Sequence, residues 1–263
     1  LPYFESIRRK SQEHKIPVSL AVLSGSVVIL PTNVVAELKE LLPQVHLSFS
    51  SIGQLDQEDY VQVGFPSTAK GIVAAVTELF QRGRIQVLVG TKSLLGEGWD
   101  APCVNSLILG SFVGSFMLSN QMRGRAIRTW QGHPEKTSNI WHLVAIQPEP
   151  LITLSGEEPT LDSNQDLQTL SRRMEHFLGL AYNQGSIETG LERLDFPKPP
   201  FRKKQIREYN ERIQMLSKDR AGLRKKWQDA LVVADRFEIV TEVATQKQKI
   251  PIMLQFDALK WVR

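Results

Sequence analysis

Short β-rich runs alternate with segments of helical hydrophobic spacing through the first 146 residues, and this constrains the fold more than any other feature. Val18-Ser-Leu-Ala-Val-Leu23 and Ser26-Val-Val-Ile-Leu30 read as strands parted by the turn signal Ser24-Gly25. Val34, Val35, Leu38, Leu41 and Leu42 then follow at helical spacing, with Asn33 as the expected N-cap. Val45 to Phe49 and Tyr60 to Val63 are short strand candidates, the second inside the turn-rich, acidic stretch from Ser50 to Ser67. Ile72, Val73, Val76, Leu79 and Phe80 repeat at three and four and predict an amphipathic helix closed by Gly83. Strands are expected at Ile85 to Val89, Ser106 to Leu109 and Ile140 to Ile146, with a helix from about Ser115 to Thr129. Such alternation argues for an α/β fold with a parallel sheet sandwiched by helices, and for ligand sites at the carboxyl ends of its strands.

Beyond Gln147-Pro-Glu-Pro150 the composition changes. Ser155 to Asn164 is a polar linker, and Leu167, Leu170, Met174, Phe177, Leu178 and Ala181 mark a helix from about Asp166 to Tyr182. Phe196-Pro-Lys-Pro-Pro200 breaks the chain. From Arg202 to about Leu231 a heptad-like seam runs through Ile206, Tyr209, Ile213, Leu216, Leu223, Trp227 and Ala230, interrupted by Arg220. As one helix it would form a rod of roughly 40 Å. The expected division is a first domain over 1–152, a helical hairpin over 160–234, and a β-hairpin or the start of a further region over 235–263.

A formal charge of +4 permits nucleic-acid binding without arguing for it. The cations concentrate between Lys198 and Lys226, where they either ride along a phosphate backbone or form the solvated face of a hairpin. With Cys103 as the sole cysteine there is no internal disulfide, which points to a reducing, cytoplasmic setting. The longest apolar run is too short and too interrupted by serines to span a membrane, so no membrane partner is expected. His14, His46, His133, His142 and His176 lie far apart, so no metal site is expected. The chain begins with Leu1 rather than methionine, as expected of a fragment of a longer protein.

Two clusters carry chemistry. Gln121-Met-Arg-Gly-Arg-Ala-Ile-Arg128 sets Arg125 and Arg128 on one helical face, just after Gly124. Two guanidiniums so placed suit a phosphate, whereas the plain alternative is an amphipathic helix with solvated arginines. Gly124 weighs against that alternative, because glycine inside a helix costs about 1 kcal/mol relative to alanine. Thr91 to Asp100 follows a strand and supplies a hydroxyl, two glycines and a carboxylate. Such a turn suits a nucleic-acid phosphate, and its carboxylate suits a ribose or an arginine. The plain alternative is an ordinary strand-to-helix loop.

Val89-Gly-Thr-Lys-Ser-Leu-Leu-Gly-Glu-Gly-Trp-Asp-Ala-Pro102 resembles motif V of the superfamily 2 helicases, and Gln121 to Arg128 resembles their motif VI. The wording is similar to DEAD/DEAH-box relatives in restriction-enzyme motor subunits and excision-repair helicases. The resemblance covers about Val18 to Ile146 and implies the second of two RecA-like domains. It implies that Arg125 and Arg128 reach the γ-phosphate of ATP and that Gln121 positions them or the attacking water. It further implies that Gly98, Asp100 and Gly124 lie on the ATP side, while Thr91 and Lys92 touch nucleic acid. ATP and Mg²⁺ would be held mainly by an N-terminal RecA-like domain, with DNA, or RNA as the alternative, crossing both. Neither a phosphate loop nor an acidic Mg²⁺ motif is present in the sequence. Gly64-Phe-Pro-Ser-Thr-Ala-Lys-Gly71 has Ala69 in place of the second glycine and Gly71 in place of the metal-binding hydroxyl. The expectation is half an ATPase site, inactive alone. The rival expectation is a non-catalytic nucleic-acid-binding or scaffolding module with a helicase-like fold.

Overall fold

The computed structural model describes residues 2–52, 59–66, 71–91, 99–110, 116–147, 164–181 and 186–234. The first part runs α1 (Pro2–Glu13), β1 (Leu20–Leu23), β2 (Val28–Pro31), α2 (Val35–Leu41), β3 (Ser48–Ser51), β4 (Tyr60–Gly64), α3 (Ile72–Gln81) and β5 (Val87–Gly90). Then follow β6 (Ser106–Leu109), α4 (Phe116–Ala126), β7 (Asn139–His142), α5 (Gln165–Met174), β8 (Gly179–Leu180), β9 (Ile187–Glu188), α6 (Lys203–Lys218) and α7 (Arg220–Ala234). The chain is a mixed α/β protein. The β-hairpin expected within 235–263 lies outside the described residues.

The main sheet has five strands in the order β3-β4-β2-β1-β5, and only β1 and β5 pair in parallel. The expected parallel sheet is thereby corrected to a mixed one. The cause is local. Ser24 N–H donates to Val27 O at 2.9 Å and Ser24 Oγ accepts from Val27 N–H at 3.0 Å, closing a tight turn. A parallel crossover needs a dozen or more residues, so the strands on either side of this turn must run antiparallel.

Both faces of the sheet are covered by helices, as expected. Ala21, Leu23, Val28 and Leu30 point to the face where Val34, Leu38, Val76 and Leu79 of the α2–α3 side pack. The alternate residues Leu20, Val22 and Ile29 point to the other face, beneath Phe4 of α1. Period-two alternation thus feeds two cores from the same strands.

Two helix ends differ in how well they match the sequence. Gly83 stands at φ 74°, its N–H donates to Phe80 O, and Arg84 N–H donates to Leu79 O. This pair of bonds is a Schellman closure of α3, as the glycine predicted. At the start of α2, Asn33 is not the N-cap. Pro31 leads instead into a 3₁₀ turn, Thr32–Val34, and Val34 precedes the helix without a side-chain cap.

β6 and β7 form a separate parallel pair joined through α4. β7 is shorter than the predicted strand, yet Val144 and Ile146 beyond it pack against Leu167, Leu170, Met174, Phe177 and Phe201 of the helical part. α5 also ends early, at Met174. The expected rod is broken in two at Asp219. That residue leaves the helix at ψ 73°, and its Oδ1 accepts from Gly222 N–H at 2.8 Å. Its carbonyl accepts from Leu223 N–H, so Asp219 acts as the N-cap of α7. Tyr209 is core, edge-on to Phe196 at 5.1 Å, whereas Trp227 on the same seam is 37% exposed. Arg220 Nη1 donates to Asn105 O at 3.1 Å and Thr137 O at 3.0 Å, tying the break between α6 and α7 to the starts of β6 and β7.

Candidate functional site

The site is built from Trp99 outward. Trp99 is buried with Ala101, Val104 and Ala126, and its indole N–H donates to Thr77 Oγ1 of α3 at 2.9 Å. An aromatic anchor with a satisfied polar tip fixes the backbone on either side of it. The next residue, Asp100, is thereby presented at the surface.

The Asp100 carboxylate accepts from Arg128 Nη1, forming an ion pair between the two clusters singled out in the sequence. Arg125 lies in the last turn of α4, and Arg128 stands two residues past its end at Ala126. Partial burial and the Arg128 charge lower the pKa of its guanidinium, and Asp100 acts in the opposite direction. All three groups therefore share one electrostatic patch.

Lys136 joins the same two segments through their backbone. Its Nζ donates to Pro102 O at 2.6 Å and to Arg128 O at 2.7 Å. Ser138 Oγ adds a bond to Ala126 O at 2.5 Å. These contacts hold the end of α4 against the chain after Asp100, and no spacing in the sequence announces either residue.

The remaining expected residues sort as follows. Gln121 is exposed on α4 at a helical interval of four from Arg125, so these two share a face, whereas α4 ends at Ala126, short of the expected Thr129, and Arg128 lies two residues beyond it. Gly124 lies within α4, and a Cβ placed on it would meet nothing within 4 Å among the described residues. Thr91 is exposed at the carboxyl end of β5. Lys92 and Gly98 lie outside the described residues. Thus Asp100, Arg125 and Arg128 converge.

Arg123 points the other way. Successive helical residues turn by about 100°, so Arg123 and Arg125 lie on nearly opposite faces of α4. The Arg123 guanidinium stacks on the Phe177 ring at 3.7 Å. The sequence reading had not assigned it a role.

Among the described residues no group of three or more His, Cys, Asp or Glu is placed to hold a metal. No described helix is long and apolar enough to cross a membrane. Burial raises the Cys103 thiol pKa, and Cys103 packs against the Trp99 cluster. No protein-family model, curated protein or solved structure matches the chain. Chemically, the patch offers two guanidiniums opposed by one exposed carboxylate, an arrangement able to receive a phosphate.

Proposed function

We propose that this chain is the second, RecA-like motor domain of an ATP-dependent DNA helicase or translocase of superfamily 2. In this reading it supplies arginine fingers to an ATP–Mg²⁺ site shared with an N-terminal domain of the same protein. The observation that carries the proposal is the meeting of Asp100 and Arg128, with Arg125 beside them. Segments resembling motifs V and VI are 28 residues apart at this pair and could have folded apart. Gly124 adds support: its helical cost is not explained by packing within the described residues, so an approaching partner is the natural reason for it. The mixed sheet departs from that family's parallel one, so the reading rests on the site and not on topology.

In this mechanism Asp100 holds Arg128 in an extended, preorganised geometry before nucleotide arrives. Arg125 and Arg128 then stabilise charge on the γ-phosphate, and Gln121, on the face of Arg125, orients them or the attacking water. Thr91 and Lys92 contact the nucleic-acid backbone, which is DNA in this reading, with RNA the other chemistry the same contacts accept.

The test uses the complete protein. Arg125→Ala or Arg128→Ala is expected to lower DNA-stimulated ATP hydrolysis by about 10³-fold or more. A wild-type rate in both variants sinks the finger assignment and supports the non-catalytic module instead.

A further inference from the structure

The face of α4 turned away from Arg125 carries a second concentration of positive charge. Arg123 on α4, Arg173 on α5 and Arg193 in the 3₁₀ turn Glu192–Leu194 surround His142 at the end of β7. Arg193 is 9% exposed, and its Nη1 donates to Leu180 O at 3.3 Å. A Cβ on Gly179 would come within 2.5 Å of that Nη1, so the guanidinium lies directly against the Gly179 backbone. Arg123 is clamped over Phe177. Two donors point into this region without a protein partner, Arg123 Nη1 and Arg193 Nε.

For Arg123 and His142 the named charged influences are all cationic. Burial, and after it the Arg193 charge, bring the pKa of Arg123 down to about 10. His142 is held down to about 4 by burial and by all three arginines, so at neutral pH it is uncharged and able to accept or donate one hydrogen bond. Among the described residues, burial lowers the pKa of Arg193 and the Tyr209 hydroxyl acts in the opposite direction. Guanidiniums buried together cost several kcal/mol unless an anion compensates them. Arg193 is too enclosed for a polymer backbone to reach, which restricts a compensating anion to a small one.

We propose that Arg123, Arg193 and His142 form a binding site for a small tetrahedral oxyanion of the phosphate class. The site sits where the motif VI-like helix meets the helical appendage. Its occupancy neutralises the charge behind α4 and fixes the helix that carries Arg125 and leads into Arg128. The site stands on its own geometry and does not depend on the motor reading.

The experiment titrates the 263-residue chain with inorganic phosphate at constant ionic strength, reading heat and the thermal midpoint. Saturable binding is expected, with a midpoint that rises with phosphate and not with chloride. Arg123→Gln and Arg193→Gln are each expected to weaken binding at least about tenfold, while Arg207→Gln, at an exposed arginine of α6, leaves it unchanged. In phosphate-free buffer Arg193→Met is expected to raise the midpoint, because it removes an uncompensated buried charge. Binding abolished by Arg125→Gln and retained in Arg193→Gln places the ion on the finger face and overturns the proposal. So does a thermal midpoint that responds to chloride as it does to phosphate.

Discussion

Arg128 is joined to the Asp100 region twice: its guanidinium donates to the Asp100 carboxylate, and its carbonyl shares Lys136 Nζ with Pro102. Side chain and backbone are thus fixed by different partners. An exposed ion pair alone contributes about 0–1 kcal/mol, so the backbone bridge is what keeps the end of α4 in register with the turn. The ion pair is left to set the direction of the guanidinium.

Asp100→Asn is therefore expected to lower the stability of the chain by no more than about 1 kcal/mol in denaturant titration. In the complete protein the same change is expected to reduce DNA-stimulated ATPase by about tenfold, the loss of one orienting charge-assisted bond. A stability loss of several kcal/mol with unchanged ATPase would assign Asp100 a structural role instead.

Gly83 and Gly124 separate two uses of glycine. Gly83→Ala places a side chain at φ 74° and is expected to destabilise by about 1 kcal/mol. Gly124→Ala meets open space inside a helix and is expected to stabilise the isolated chain by about 1 kcal/mol while lowering ATPase in the complete protein. If Gly124→Ala leaves the complete protein's turnover untouched, close approach of a ligand there is excluded.

Trp99→Ala removes the anchor of the Trp99 cluster and is expected to cost about 3–5 kcal/mol. Trp99→Phe keeps most of the volume but strands the Thr77 hydroxyl, which still donates to Val73 O, so about 1–2 kcal/mol is expected. Equal midpoints for Trp99→Phe and the parent chain would show that the indole bond is not part of the anchor.

His142 gives a pH signature whose sign is fixed. Burial and the three arginines depress it to about 4, while in the unfolded chain it titrates near 6.5. The unfolded state therefore takes up the proton first, and stability falls as pH drops from about 6.5 to 4, by at most about 3 kcal/mol from this group. Paired denaturation curves of the parent and His142→Asn at pH 7, 5.5 and 4.5 isolate that contribution. The gap between them should shift steadily in favour of the variant, and parallel curves would show that His142 titrates normally.

Legibility followed the range of the interaction. Local signals were readable: the α3 period, Gly83 as its closure, and the strands Val28–Pro31 and Ser106–Leu109 all announce themselves within a few residues. The sense of strand pairing was misjudged, because a parallel sheet was inferred from alternation although Ser24-Gly25 already marked a hairpin. The break at Asp219 was readable in principle as an N-cap, but the apolar seam through Leu216 and Leu223 outweighed it. The convergence of Asp100 with Arg125 and Arg128 rested on resemblance alone until the fold supplied the contact. Lys136 and Arg123 could not be found at all, since each acts through groups distant in the chain.

The segment after Thr137 has one further consequence. Ile140 packs with the Trp99 cluster, and Val144 and Ile146, a few residues on, pack with the appendage core. A single extended stretch is thus stitched into two hydrophobic interiors, and Arg220 fastens the same place from the far side. Neither interior can melt without exposing half of the other's seam. Heat should therefore take both together, in one transition, however sharply the composition changes between them.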